Sequence, residues 1–294
     1  MNTSKKNILV PVDFSDQSLI ALQYAEGIAQ TTSSDLFLLY VHSEQSMLSS
    51  IFSNSDSDEK AFDQAWEKLG QLALDVEKRS GVKATALVAK GKVSDEIIQV
   101  SELVGSTFII MGTNGSDSFV RRFVGSNALK VVRESRIPVF SIKGKPAHTG
   151  FRQIVLPLDL TKETREKVKL AITFSRYFNA EVKVVSILMT DDEEVISRLE
   201  FLLNQVEAFL TEANVKCSAE LVKVQEKHED LGEEVLKYAE RVGGDLIMIM
   251  TQQENDFKDM FIGSAAQTVI NNSGIPVCSI IPNYNRTVVV FRPY

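Results

Sequence analysis

Four residues between positions 112 and 126 have the types and spacing to hold a phosphate. Gly112, Gly115, Gly125 and Ser126 form the pattern G-x2-G-x9-G-S within MGTNGSDSFVRRFVGSN. The first two follow an apolar run, 108–111, and glycine there lets backbone approach a ligand or turn through positive φ. The last two precede residues 128–133, which read as a helix. Backbone N–H groups at a helix N-terminus lack intrahelical partners and carry partial positive charge, so phosphate is a natural occupant. Ser126 can cap that helix, donate its hydroxyl to a phosphate oxygen, or do both. Arg121 and Arg122 lie in the same loop; they can add charge-assisted bonds or belong to a solvated surface. The pattern is not the Walker spacing, since no GKS or GKT follows, and it is not GxGxxG.

The elements that must position these residues occur twice. NILVPVDFS from Asn7 matches QIVLPLDLT from Gln153, and EIIQVSELVGSTFIIMGT from Glu96 matches EVLKYAERVGGDLIMIMT from Glu234. The second register continues without a gap through IPVFSI at Ile137 and IPVCSI at Ile275. Two duplicated units, 1–146 and 151–294, are expected, joined by KGKPAHTGF. In the first, apolar runs at 8–12, 36–41, 84–89, 108–111 and 139–142 read as strands buried on both faces of a parallel sheet. The spacing predicts a helix from Ser15 or Asp16, a long one over 59–79 with Phe62, Trp66, Leu69 and Leu72 on one face, and another over 94–104. The acidic stretch SNSDSDEK after Phe52 is expected to be a loop. The fold class is α/β: two tandem Rossmann-like open doubly wound domains, each with a five-stranded, mostly parallel sheet. Ligands in such sheets sit outside the strands' carboxyl ends where the strand order reverses. Residues 11–15, 41–43 and 112–126 then meet at one crevice.

Composition narrows the chemistry. The chain has 294 residues, 44% of them hydrophobic and 24% charged, with a net charge of −7. The acidic balance, pI 5.2, argues against broad nucleic-acid binding. Cys217 and Cys278 have no CxxC spacing, so no metal site is expected. No apolar run approaches the roughly 20 residues that span a bilayer, and Pro11 and Asp13 break the N-terminal run, so no membrane partner is expected and the cytoplasm is the expected location.

With LVPVDFS and MGTNG…GSN in hand, the chain resembles the universal stress proteins, over nearly its whole length and twice over. The nucleotide-binding members of that family carry the same glycine pattern after their fourth strand and an Asp after their first. The resemblance implies ATP or another adenine nucleotide as ligand, with Mg²⁺ as an optional companion. It implies that Pro11, Asp13 and Val41 line the adenine and ribose side. Met111, Gly112, Asn114 and Gly115 would cradle the sugar-phosphate, and Gly125, Ser126 and Asn127 would hold the outer phosphates. Ala128 stands where family members often have a hydroxyl, which removes one phosphate contact. Asp13 alone also suits a helix-capping role. Pairing of the fifth strands, common across dimers of the family, is expected here within one chain as a pseudo-dimer. The extra tail, with its β-branched run 287–291, is a candidate edge or interface strand for a homodimer.

The second unit departs from the pattern. Met250 and Gln253 replace Gly112 and Gly115, and Asp259 and Met260 replace Arg121 and Arg122, while Gly263, Ser264 and Asp159 are kept. A fold-competent but nucleotide-incompetent second unit is expected. His42, whose counterpart is Leu188, is expected at the crevice rim. No catalytic constellation stands out, so at most weak ATP hydrolysis is expected. The leading expectation is an ATP-binding stress or signalling module with an unknown signalling protein as partner. The alternatives are a weak ATPase and a nucleotide-independent interaction protein.

Overall fold

The structure, a computed structural model, describes residues 6–43, 55–113, 124–144, 150–159, 164–224, 230–251 and 262–281. The first half runs β1 (Lys6–Pro11), α1 (Asp16–Thr32), β2 (Ser34–Ser43), α2 (Ser55–Ser80), β3 (Ala84–Gly91), α3 (Val93–Leu103), β4 (Ser106–Gly112), α4 (Ser126–Glu134) and β5 (Val139–Ile142). The second runs β6 (Gln153–Pro157), α5 (Thr164–Phe178), β7 (Glu181–Leu188), α6 (Glu193–Glu212), β8 (Cys217–Lys223), α7 (Leu231–Arg241), β9 (Leu246–Met250), α8 (Ser264–Asn272) and β10 (Val277–Ile280).

Continuous apolar runs do form the central strands: Ile8, Leu9 and Val10 are fully buried, as are Leu246, Ile247 and Met248. Two expectations need correction on α2. The acidic stretch is helical from Ser55 onward. The inward stripe is Ala65, Leu69, Ala73 and Val76, so Trp66, one residue (about 100°) off that line, is half-exposed.

The two halves share one ten-stranded sheet in the order β3-β2-β1-β4-β5-β10-β9-β6-β7-β8. Pairing is parallel within each half. Among the described residues it is antiparallel only where β5 meets β10. The expected fifth-strand pairing is thus made inside one chain. Phe140 lies opposite Cys278, its own repeat counterpart, so the approximate two-fold axis passes through that pair. A large ring facing a small thiol is a packing that two phenylalanines on the axis would not reproduce.

Each sheet face buries its own cluster. On the α1, α2, α5 and α6 side, Ile8, Val10, Leu36 and Phe108 join Phe140, Phe151, Phe174 and Leu246. On the other, Leu9, Leu39, Ile109 and Met111 pack with Val131, Val235, Ile247 and Val269. The first cluster seals the halves together through aromatic rings. Phe174 lies 5.2 Å from Phe108, 5.3 Å from Phe140 and 5.9 Å from Phe178, centroid to centroid. Because these rings come from both halves, neither half has a complete core of its own on this face.

Candidate functional site

In the first half the strand order reverses between β1 and β4, which opens a crevice at their carboxyl ends. The connection from β1 to α1 forms one wall. Val12 N–H donates to Leu39 O at 2.8 Å, keeping the chain in line with β2 just beyond the strand's end. The backbone then turns sharply at Phe14, whose φ of 61° is unusual for a bulky residue. Asp13 stabilises the turn: its Oδ1 accepts from Ser15 N–H at 3.0 Å and from the Ser15 hydroxyl. Ser15, not Asp16, is the N-cap of α1, accepting from Ser18 N–H at 3.3 Å. Asp13 therefore supports the cap while its carboxylate stays exposed. Pro11 and Val41 are half-buried at the ends of β1 and β2.

The opposite wall begins at the end of β4. A Cβ built on Gly112 would lie 2.7 Å from the carbonyl carbon and oxygen of Gln17 and 3.0 Å from Ser18 N. The absence of a side chain lets the first turn of α1 press onto the end of β4. Gly112 does not have positive φ; close approach is what requires glycine here. The Oε1 of Gln17 is buried without a hydrogen-bond partner among the described residues. It is an unanswered acceptor on the helix that abuts the crevice, and an unmet acceptor of this kind is costly unless a ligand or water answers it.

Thr113 then closes the base of the glycine-rich loop. Its N–H donates to Ile142 O at 3.2 Å, and its carbonyl accepts from Gly125 N–H at 2.7 Å. Helix α4 follows at once. Gly125 is its N-cap, with φ −60° and ψ 149°, and makes no side-chain capping bond. The first ladder bond runs from Leu129 N–H to Gly125 O at 3.0 Å, so the amides of Ser126, Asn127 and Ala128 lie ahead of the ladder. Gly125, Ser126 and Asn127 are exposed, and Ala128 and Met111 are buried. An exposed helix start with no capping side chain suits an anion. Asn114, Gly115, Arg121 and Arg122 lie outside the described residues.

The second half repeats the scaffold. Gly263 N–H donates to Thr251 O at 3.2 Å, Thr251 N–H to Ile280 O at 3.0 Å, and α8 also starts without a side-chain cap. The difference lies on the other wall. Met250, at the place of Gly112, packs against the aromatic-rich core face. Lys167, at the place of Ala21, is 4% exposed, and its ammonium donates to Pro157 O, the counterpart of the Pro11 carbonyl. Met250 and the lysine stem therefore stand where the first half has no side chain beyond a methyl group and where α1 packs directly onto Gly112. Gln253, Asp259 and Met260 lie outside the described residues.

Sequence reasoning missed Lys167, although a lysine on the inward stripe of a helix was a visible signal. It also missed Thr113 and Thr251, retained in register in both halves. His42 is corrected: it is 7% exposed, facing inward on β2 rather than standing at a rim. Among the described residues no group of three or more His, Cys, Asp or Glu is placed to hold a metal ion, and no helix is long and apolar enough to cross a membrane. His148, His228 and 287–291 lie outside the described residues.

The sequence pattern of the universal stress protein family matches residues 5–143 and again 150–280. Two universal stress proteins of Methanocaldococcus jannaschii are similar to parts of the chain. One is 27% identical over 161 residues, covering 49% of this chain and 99% of the relative. The other is 28% identical over 142 residues, covering 47% and 82%. Among solved structures, a universal stress protein from Archaeoglobus fulgidus superposes with a TM-score of 0.76 at 20% identity, covering 94% of this chain and 98% of its own. At that identity the likeness speaks for the fold alone.

Proposed function

Because the chain belongs to the universal stress protein family, we propose that it is an adenine-nucleotide-binding module whose single site is the crevice of the first half. ATP lies with its base and ribose toward Pro11, Asp13 and Val41 and its phosphates at the start of α4. The observation that carries this reading is the exposed, uncapped run Gly125–Ser126–Asn127, pinned beside the ends of β1 and β4 by the Thr113 carbonyl. The backbone amides of Ser126, Asn127 and Ala128 meet the charge of a phosphate group. The exposed Asp13 carboxylate accepts from a ribose hydroxyl. Mg²⁺, where present, arrives on the nucleotide's own phosphates.

The second unit, 151–294, serves as a structural partner. Its anion-facing helix start survives, but Met250 and Lys167 occupy the opposite wall. The module works through changes in its contacts with a signalling protein, not through turnover. Equilibrium dialysis tests the ligand class. ATP is expected to be retained and GTP not, with inorganic tripolyphosphate held weakly. Equal retention of ATP and tripolyphosphate would reduce the site to an anion sink and overturn the reading.

A further inference from the structure

The phosphate-facing amides of the first half are braced by a residue of the second. Asn271 lies near the carboxyl end of α8. Its side-chain Oδ1 accepts from Val124 N–H at a long 3.4 Å, and its backbone carbonyl accepts from Lys143 Nζ at 2.8 Å. Val124 immediately precedes Gly125, and Lys143 immediately follows β5. Two further bonds complete a ring: Thr113 N–H to Ile142 O at 3.2 Å and Gly125 N–H to Thr113 O at 2.7 Å. The ring runs Thr113, Gly125, Val124, Asn271, Lys143, Ile142 and back to Thr113. Partial burial disfavours the charged form of Lys143, and the Asn271 carbonyl answers its ammonium.

The repeat shows that this brace acts in one direction. The counterpart of Asn271 is Arg133, and that of Val124 is Ile262. A guanidinium has donors and no acceptor, so Arg133 is chemically unable to receive the Ile262 N–H. The Arg133 side chain therefore offers the second half's loop no acceptor equivalent to the Asn271 Oδ1.

We propose that Asn271 is a positioning residue for nucleotide binding: the second half holds the loop end that aims the Ser126–Ala128 amides at the outer phosphates. The inference rests on the nucleotide reading above. It gives the second unit a part in nucleotide binding, since it lends a residue to the first half's site.

The test compares parent, Asn271→Ala and Asn271→Asp as full chains. Titration calorimetry reads ATP and adenosine affinities, and hydrogen exchange reads the Val124 amide. Asn271→Ala is expected to weaken ATP about fivefold, the loss of one ordinary hydrogen bond. Adenosine affinity should stay unchanged, and the Val124 amide should exchange faster. Asn271→Asp keeps an acceptor at the same place, and Val124 should stay as protected as in the parent. If the parent binds ATP and Asn271→Ala leaves both its ATP-to-adenosine ratio and Val124 protection unchanged, the positioning role is wrong. If the parent binds no adenine nucleotide, the functional reading itself fails, and the positioning role falls with it. Were Asn271→Ala not to fold, rapid Val124 exchange in folded Asn271→Asp would by itself overturn the proposal.

Discussion

Ser126→Asp separates a phosphate site from a helix that merely starts there, because the two readings predict opposite signs. Ser126 is the first residue of α4, exposed, and follows an N-cap with no side-chain bond. A carboxylate in that turn faces the positive end of the helix dipole, and stability should rise by about 0.3–1 kcal/mol. A nucleotide phosphate held by the same amides would lie roughly 5 Å from the new charge. At an effective dielectric of about 20 that repulsion is about 3 kcal/mol per unit charge, before screening by solvent. ATP affinity should therefore fall about tenfold to a hundredfold while the thermal midpoint holds or rises. Ser126→Ala, which removes only the hydroxyl, should cost about fivefold. Adenosine, lacking phosphate, should bind both variants like the parent. The assay is calorimetric titration with ATP and adenosine beside a thermal melt. Unchanged ATP affinity in Ser126→Asp, or an equal loss for adenosine, would refute the assignment of α4 to the phosphates.

Other consequences follow from packing. Gly112→Ala forces a Cβ to within 2.7 Å of the Gln17 backbone and should cost about 1–3 kcal/mol in urea unfolding. Gly263→Ala, with nothing within 4 Å of the added atom, should cost well under that, and equal losses would contradict the close-packing argument. Phe174→Ala empties the centre of a ring cluster drawn from both halves. It should destabilise by about 3–5 kcal/mol, with fluorescence and circular dichroism still reporting one transition; separate unfolding of the halves would show that the shared cluster does not couple them. Burial pushes the Cys278 thiol well above its ordinary range, whereas Cys217 is half-exposed. A thiol reagent under native conditions should label Cys217 first, leaving Cys278 to react only on unfolding.

The architecture was legible because the repeat and the apolar strands state it twice. Residues 139–142 and their counterparts IPVCSI read as fifth strands, and their meeting within one chain followed from the family resemblance. What the sequence withheld depends on neighbours distant along the chain. Gly112 read as a place for ligand, yet its tight spot is against α1, a contact that no local pattern records. Trp66 lay within the expected inward stripe because spacing tolerates a one-residue phase error that burial does not. His42 read as a rim residue because it ends a strand near the crevice, but β2 extends to Ser43 and keeps it inside. Lys167 stands on the inward stripe of its helix, but its partner, Pro157 O, comes from a strand and only the fold supplies it. The glycine-rich pattern was found by its spacing, while Thr113 and Asn271, which fix the loop's two ends, have side chains too ordinary to stand out.

The central claim is one nucleotide site per chain, in the first half. Calorimetric titration of nucleotide-free protein with ATP and Mg²⁺ tests it most directly, because it counts sites. The account predicts a stoichiometry of one. Two sites would contradict the reading of Met250 and Lys167 as occupants of the second crevice, and none would contradict nucleotide binding at α4 altogether.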